Sequence, residues 1–514
     1  MHARVAVVGM GPIGATAALL LAGLGVETLV IEQRRRFEPL TRAVTIDDEA
    51  LRVLQAAGLG GRLPAPPMLS GEPIRFRSRT GAVLLELPAY VSGNGHPAVA
   101  FLHQSDLEAA LREGLARSGL VHVELGCEAV ALRQRADGVA LRVRAVDGGD
   151  ARDIQADYVL ACDGARSTVR AALGIPLRGF TSRRRWLAID ARSGGARSGQ
   201  GGFEFLCDPR RPAANGPLPD GRHRFEFMLR PGEGHAGDAV QRLLAPWGTV
   251  EVIRSAAYPQ HARVAPRWRA GRVLLLGDAA HLSPTFAGQG LSAGLRDAGN
   301  LSWKLASVLG GGAAPALLRT YEAERLPHAR RMVAFAVALG RAVEARSAPV
   351  AWMRDAAVAT LLRSEGVSEW TARSAWKPAP GYRRGLAAQR TGGPRGTLLR
   401  QSRVSVAGGP PRPLDDVLGP RFALIGYGVD PAARLGAGAR ALLLELGARL
   451  VCLNGTSPTS SQPTLHLRGA LENEHELAGR IALVRPDRHV FGVFKPADSG
   501  DAVRELVAAL RSPP

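Results

Sequence analysis

Residues 3–33, ARVAVVGMGPIGATAALLLAGLGVETLVIEQ, change their hydrophobic pattern twice. Apolar Val5 to Val8 read as a buried strand, a glycine turn follows, then an alanine- and leucine-rich helix, then a second strand from Thr28 to Ile31 that closes on Glu32. Farther on, 74–87 and 130–145 alternate about Thr80-Gly81 and Asp137-Gly138, the pattern of β-hairpins, with a helix over 106–117 between them. Residues 176–260 read as strand-rich, with a polar Pro/Gly-rich insertion from Pro209 to Gly221, and 288–376 as alanine-rich helices. After 377–395 the chain restarts as alternating strands and helices, ending on the amphipathic AVRELVAALR. No internal repeat is evident. The pattern predicts an α/β (α+β) protein with boundaries near 1–175, 176–260, 261–376, 377–396 and 397–514. The first and third pieces form one Rossmann-like domain, 176–260 with strands of about 72–100 forms an interleaved β-rich domain, 377–396 is a linker, and 397–514 is a small α/β domain.

Gly9, Gly11 and Gly14 fit G-x-G-x-x-G in its proper setting, with a strand before and a helix after. Glycines there allow the tight turn, the close approach of a pyrophosphate and close helix packing, while the helix N-terminus offers amides to phosphate. Glu32 stands 23 residues after Gly9, where an acid takes ribose hydroxyls. A second glycine-rich stretch, LLLGDAAHLSPTFAGQGLSAG, spans 274–294. Asp278 emerges there at the end of a strand over 273–276; Pro284, Gly288 and Gly290 follow. Gly290 opens a helix whose apolar face is Leu291, Leu295, Ala298, Leu301, Leu305 and Val308, with Arg296, Asp297 and Lys304 elsewhere. Stripped of side chains, that N-terminus can press amides and its positive dipole end on a planar, electron-rich ligand. Two clamps imply one long cofactor: pyrophosphate at the first turn, a sugar-like chain at Asp278, a redox ring at the second helix. FAD has that length, whereas NAD would not ordinarily need the second clamp.

Composition adds mainly exclusions. The net charge is +20, yet of 66 basic residues only Lys304, Lys377 and Lys495 are lysines, and the arginines are scattered with short clusters at 34–36 and 183–185. Without a basic tail or an aromatic-interleaved stripe, no nucleic-acid partner is expected, and the 183–185 cluster reads as an exposed strand edge. Attraction of small anions fits the charge. Cys127, Cys162, Cys207 and Cys452 lie far apart with no CxxC and no metal-ligand spacing, so reduced thiols and no metal site are expected. The apolar stretch 15–26 is too short to span a bilayer and the first strand begins by Arg4, which predicts a cytoplasmic protein with no membrane association. Cys162 reads as core and His281 as a hydrogen-bonded structural histidine, while Arg166 and Arg170 stand between a contact to a nicotinamide donor's phosphates and a solvated helix start.

Three motifs occur in order: the first glycine turn; ACDGARSTVR, containing Asp163, Gly164 and Arg170; and GDAAHLSPTFAGQGLSAGLRDAGNLSWKLA. With TRAVTIDDEALR, FLHQSDLEAALRE and WLAID they cover nearly the whole chain. By these motifs the sequence resembles the flavin-dependent aromatic hydroxylases of the para-hydroxybenzoate hydroxylase fold, most of all the 3-(3-hydroxyphenyl)propionate hydroxylase branch. The resemblance implies FAD, NADH or NADPH as transient donor, O2, a C4a-hydroperoxyflavin and a small aromatic phenol as substrate. It implies that Glu32 binds the adenosine ribose, Arg42 and Gln104 contact the flavin cofactor, and Asp278 binds the ribityl chain. Asp163 lies in the motif linked to both FAD and the nicotinamide donor, and the backbone amides of Leu291 and Ser292 can meet the flavin pyrimidine edge. Ser292 is a departure, because the branch usually has Asn there. The chemistry sits on the flavin, so no catalytic side chain is assigned. The C-terminal part resembles the thioredoxin-like tail of such enzymes without its CxxC, Cys452 standing alone, so no redox role is expected of it. A homodimer stays open. The rival readings are a tailoring oxygenase of a polycyclic natural product, an FAD-dependent reductase or halogenase, and a non-catalytic binding protein of the same fold.

Overall fold

A computed structural model describes residues 2–37, 43–62, 65–193, 201–234, 236–372, 377–406, 408–455, 464–469 and 477–512. Its first eight-stranded sheet has a parallel centre: Val273–Leu275, Arg152–Ala161, His2–Val8, Thr28–Glu32 and Val121–Leu125 lie side by side. Val5, Val7, Leu29, Val30, Val159, Leu160 and Leu274 are buried in it, as continuous apolar runs should be in strands covered on both faces. Register matters more than order here. Val8 stands opposite both Ala161 and Ile31, and Ala161 opposite Leu275. The carboxyl ends of four strands therefore stop at one level, and the turns beginning at Gly9, Glu32, Cys162 and Leu276 leave the sheet along one edge. Ligands of such sheets gather on that edge.

The hairpin about Asp137-Gly138 is present as Cys127–Gln134 against Val139–Ala145, and the helix expected before it runs Gln104–Arg117. The second hairpin, Ile74–Arg77 with Val83–Leu87, pairs in parallel through Ile74–Arg77 with Phe203–Leu206. It thereby joins a second eight-stranded sheet built otherwise from Arg178–Ser193, Ala213–Pro217, Arg222–Met228, Val250–Val264 and His281–Leu282. The supposed irregular insertion after Pro209 is in part a strand of this sheet, Ala213–Pro217, which buries Ala213 and Ala214 despite its Pro and Gly content.

The helix Gly290–Leu309 departs from the amphipathic reading. Arg296, Asp297 and Lys304 are as buried as Leu295 and Leu301. An expected polar face is instead a set of interior ion pairs, described below. The C-terminal unit has a seven-stranded sheet in which Ala423–Tyr427 is parallel to Arg449–Leu453 and antiparallel to Ile481–Val484, which in turn pairs antiparallel with Val490–Phe494. Helices Ala437–Glu445 and Ser499–Arg511 pack against each other on it. The core of this unit is continuous with the rest of the molecule, since Trp303, Ala313 and Leu317 pack among Phe422, Leu424, Leu443 and Leu506. Among the described residues no helix is long and apolar enough to cross a membrane.

Candidate functional site

At the sheet edge the three glycines of the first turn separate by role. A Cβ on Gly9, whose φ is +98°, would lie 2.5 Å from the Cys162 carbonyl oxygen, and one on Gly14 would lie 1.9 Å from the Gly9 oxygen. Both are required by the protein's own packing. A Cβ on Gly11 would meet nothing within 4 Å, and the helix Pro12–Gly23 starts there with no side-chain cap. Gly11 therefore opens onto a space where a ligand can touch helix amides. Glu32 is buried and reaches back to this turn: one carboxylate oxygen accepts from the Met10 amide at 2.7 Å, the other from the Arg34 amide at 2.9 Å.

The second turn meets the first through one side chain. Ile13 lies against both Gly277 and Gly294, whose Cβ atoms would stand 3.0 Å and 2.6 Å from it, and Gly294 also presses on the Gly277 backbone. Asp297, on the second helix, is the hub beneath. It accepts from the Gly277 amide at 3.0 Å and His281 Nε2 at 2.8 Å on one oxygen, and from Arg325 Nε at 2.9 Å on the other. Burial alone would raise its pKa, but His281 and Arg325 outweigh that and hold it below the usual carboxylate range. His281, stacked on Trp268, is thus a structural group, as read from the sequence. Asp278 sits half-buried on the short turn Gly277–Ala279.

Asp163 joins this edge from the third strand. One carboxylate oxygen accepts from the Val169 amide at 3.1 Å; the other is buried without a partner among the described residues, and burial pushes the group's pKa up. Arg170 is not a solvated helix start. Its guanidinium donates to the Ala279 carbonyl at 3.0 Å and the Ala165 carbonyl at 3.0 Å, tying the Asp163 motif to the second turn. Cys162 is only half-buried and stands behind Gly9 and Gly14.

At the second helix, a Cβ on Gly288 would strike the Thr45 hydroxyl at 2.2 Å, whereas Gly290 opens onto empty space and no side chain caps the N-terminus. Pro284 is buried at the head of the turn Thr285–Ala287. Leu291 is half-buried, and the Ser292 hydroxyl accepts from the Asp47 amide at 3.2 Å, so it braces the strand Thr45–Asp47. Gln104 holds the Ala43 amide at 2.9 Å and donates to Glu108 at 2.8 Å. Arg42 lies outside the described residues. Sequence reasoning missed the ionic support behind this helix. Asp47, Asp48 and Glu49 converge as a metal site would, but Lys377 Nζ sits among them, 2.7 Å from Asp47 and 2.9 Å from Glu49, and Arg296 donates to Asp47 and Glu49. The chain supplies its own cations. The run of three acids at 47–49 was the available signal, and its distant partners were not visible from it.

One face of the second sheet carries Phe76 stacked on Phe205 at 4.8 Å, and from that face Phe203 meets Phe101 of the strand Val99–Leu102 at 5.7 Å and Trp186 meets Phe286 of the turn Thr285–Ala287 edge-on at 5.3 Å. This aromatic wall is one buried core cluster beside the turn that leads to Gly288. Arg183, Arg184 and Arg185 are exposed on the strand that follows this wall, with Arg184 paired to Glu344. A crevice of about 1020 Å³ elsewhere, between the helix Asp48–Ala56 and the C-terminal unit, contains none of the open glycines, and its Arg52, Asp415 and Arg488 are paired with one another.

Two uncapped helix N-termini, two glycines that open onto space, and the buried atoms Asp163 Oδ1 and Arg34 Nη1, without partners among the described residues, make a cradle whose donors and acceptors fit a dinucleotide carrying a second planar ring. Comparison with known proteins agrees. Residues 2–336 match the family described as FAD binding domain, and 396–509 match the HcaD C-terminal domain. The chain belongs to this FAD-binding family and is an FAD-dependent aromatic hydroxylase. Over 509 residues, 95% of this chain and 92% of the relative, it is 38% identical to a 3-(3-hydroxy-phenyl)propionate/3-hydroxycinnamic acid hydroxylase of Burkholderia vietnamiensis. The flavin-dependent monooxygenase PieE, solved with FAD and substrate, has the same fold, with a TM-score of 0.82 at 24% identity over the whole of both chains. Aklavinone-11 hydroxylase, solved with FAD and aklavinone, is 26% identical with a TM-score of 0.77, covering 98% of this chain and 99% of that one.

Proposed function

We propose that the protein hydroxylates a phenolic aromatic acid of the 3-(3-hydroxyphenyl)propionate kind, with NADH or NADPH as electron donor and O2 as co-substrate. The observation that carries this reading is the 38% identity across 95% of the chain to relatives that bear that substrate's name. Bound FAD supplies acceptance of hydride from the donor and activation of O2 for transfer of one oxygen atom to the ring. The chain supplies binding, orientation and exclusion of water. In this reading the amides around Gly11 take the pyrophosphate, Glu32 the adenosine ribose, and Asp278 the ribityl chain. The amides of Gly290, Leu291 and Ser292 face the flavin pyrimidine edge, where donors stabilise negative charge as it develops. Gln104 acts by fixing Ala43 beside Arg42, and Asp163 and Arg170 shape the wall shared by cofactor and donor.

The test is donor oxidation and O2 consumption by the FAD-loaded enzyme, with product mass, over a panel of phenolic acids and polycyclic phenols. A hydroxylated product from a phenolic acid is expected. The aklavinone bound to a neighbour that spans nearly the whole chain favours a second reading, a polycyclic substrate, and product from that arm of the panel alone would select it.

Asp278→Ala is expected to weaken FAD retention about ten- to a hundredfold, the loss of a charge-assisted hydrogen bond of roughly 1.5–3 kcal/mol, with the fold kept. Recovery of flavin fluorescence on dilution measures it, and an unchanged affinity would place the ribityl chain elsewhere. Cys452 is buried in the strand Arg449–Leu453, where burial pushes its thiol pKa up. Cys452→Ser is therefore expected to leave the rate of flavin reduction unchanged in stopped flow while costing about 1–3 kcal/mol of stability for a buried hydroxyl. A slower reduction at equal FAD content would make the C-terminal unit a redox partner.

A further inference from the structure

The segment 377–396, expected only to join two units, ties the C-terminal unit to the helix end where Gly290 opens onto space. Its first residue, Lys377, is one of three lysines among 66 basic residues and is largely buried. Its Nζ lies 2.7 Å from Asp47, 2.9 Å from Glu49 and 3.5 Å from Asp48. An ammonium donates in three directions from one point, which a planar guanidinium does not, so a lysine suits three converging carboxylates. Burial alone would lower its pKa, but Asp47 and Glu49 outweigh that and hold it above the ordinary lysine value. Asp47 passes the grip on. Its amide donates to the Ser292 hydroxyl at 3.2 Å, and the carboxylate oxygen that takes Lys377 also takes Arg296. Arg296 donates in turn to Glu49 at 2.6 Å and to the Gln289 side chain at 3.2 Å, and Gln289 is the residue from which the helix Gly290–Leu309 starts.

Farther along, the same segment is held by the C-terminal unit. His489 Nε2 lies 3.0 Å from the Pro380 carbonyl oxygen, the His489 ring stacks on Tyr382 at 4.2 Å, and Arg485 donates to the Leu386 carbonyl at 2.9 Å. The Tyr382 phenol also meets the Arg325 guanidinium, which binds the Asp297 carboxylate beneath Gly277. One short stretch of chain thus reaches both the strand Thr45–Asp47 and the hub under the second glycine turn. We propose that Lys377 is a positioning residue for the flavin: through Asp47 and Arg296 it fixes the helix end that meets the flavin ring, and the C-terminal unit serves the cofactor site by anchoring the segment that carries this lysine. The inference rests on the placement of the flavin ring at Gly290, Leu291 and Ser292.

The test titrates FAD into the full-length apoprotein and melts the same samples, for the parent and three variants. Lys377→Met leaves buried carboxylate charge unmatched, and should lower the melting temperature and weaken FAD binding about three- to thirtyfold. Lys377→Met combined with Asp48→Asn removes one charge of each sign. The Asp48 carboxylate is otherwise engaged by Ser92 and Asn94, so Asp47 and Glu49 keep Arg296. In this double variant the melting temperature should return toward the parent value while FAD binding stays weak, because the clasp is still open. A merely structural role makes FAD affinity recover with the melting temperature, and that result overturns the proposal, as does parental FAD affinity in Lys377→Met. Should Lys377→Met alone fail to fold, the double variant decides on the same terms. Gly290→Ala, whose added methyl group meets no protein atom, reads the placement itself. If it binds FAD as the parent does, the ring lies elsewhere and the proposal falls with the placement. If it binds FAD weakly while the Lys377 variants bind it normally, the clasp alone falls.

Discussion

Glu324→Ala is expected to destabilise the protein by about 3–5 kcal/mol, the cost of leaving buried charge uncompensated. Glu324 lies wholly inside, on the helix Arg319–Val343, with three groups converging on it: Lys304 Nζ at 2.7 Å, Asn300 Nδ2 at 2.7 Å and the Arg485 guanidinium at 2.8 and 2.9 Å. It also accepts the Leu386 amide at 2.8 Å, and Arg485 is held from its far side by Asp487 at 2.6 Å. Burial alone would raise the Glu324 pKa, but Arg485 and then Lys304 outweigh it and bring it down to about 2, while burial brings Lys304 down to about 8. Because the folded pKa of Glu324 is depressed, its stabilisation is complete above the unfolded value near 4.5 and erodes as pH falls toward 2. Thermal melts of parent and variant from pH 7 to pH 3 read this: the gap between them should narrow as acid removes the parent's advantage. A gap that stays constant with pH would mean the carboxylate charge contributes nothing. Replacing Glu324, Lys304, Arg485 and Asp487 together by apolar residues of similar volume should recover much of the loss, because no unpaired ion of this cluster then remains.

Gly14→Ala and Gly11→Ala should behave oppositely although each adds one methyl group a few residues apart. At Gly14 the methyl would overlap the Gly9 carbonyl, a backbone atom that cannot step aside without moving strand from helix. A loss of stability at the upper end of the 1–3 kcal/mol typical of overpacking is expected, and FAD retention should fall with it. At Gly11 the methyl meets no protein atom, so the melting temperature should hold while FAD affinity falls, about tenfold or more, as the phosphates are pushed from the amides. FAD titration alongside melting separates the two. A Gly11→Ala protein that binds FAD normally would remove the pyrophosphate from that turn.

The sheet edge was legible in the sequence because each of its parts is a local signal. Gly9, Gly11 and Gly14 lie between a strand and a helix, Glu32 ends the next strand, and Gly288 and Gly290 open another helix. Each is decided within about ten residues by turn chemistry and period. What could not be read is what joins them. Ile13 is an unremarkable apolar residue of the first helix until Gly277 and Gly294 arrive against it from more than 260 residues away. Arg296, Asp297 and Lys304 could only be placed off the apolar face, because a single sequence does not show that Asp47, Arg325 and Glu324 will meet them inside. Ala213–Pro217 looked irregular because its strand character comes from the ladder to Arg222–Met228, which overrides composition. Lys377 carries no motif at all.

The parallel pairing of Ala161 with Leu275, and the seating of Gly277 and Gly294 on Ile13, bear on how the molecule comes into being. Synthesis runs from one end, and when the first 175 residues have left the ribosome the end of the central strand, Val159–Ala161, still lacks its partner on one side, and Ile13 has neither Gly277 nor Gly294 against it. Half a cradle is built then, with its apolar edge bare. Closure waits through the whole second sheet, about a hundred residues and several seconds of elongation. The nascent chain therefore passes through a long interval in which an unpaired strand edge is exposed and cofactor capture is incomplete, so the pool of free flavin and the chaperones that shield such edges act on the newborn polypeptide before they act on the enzyme.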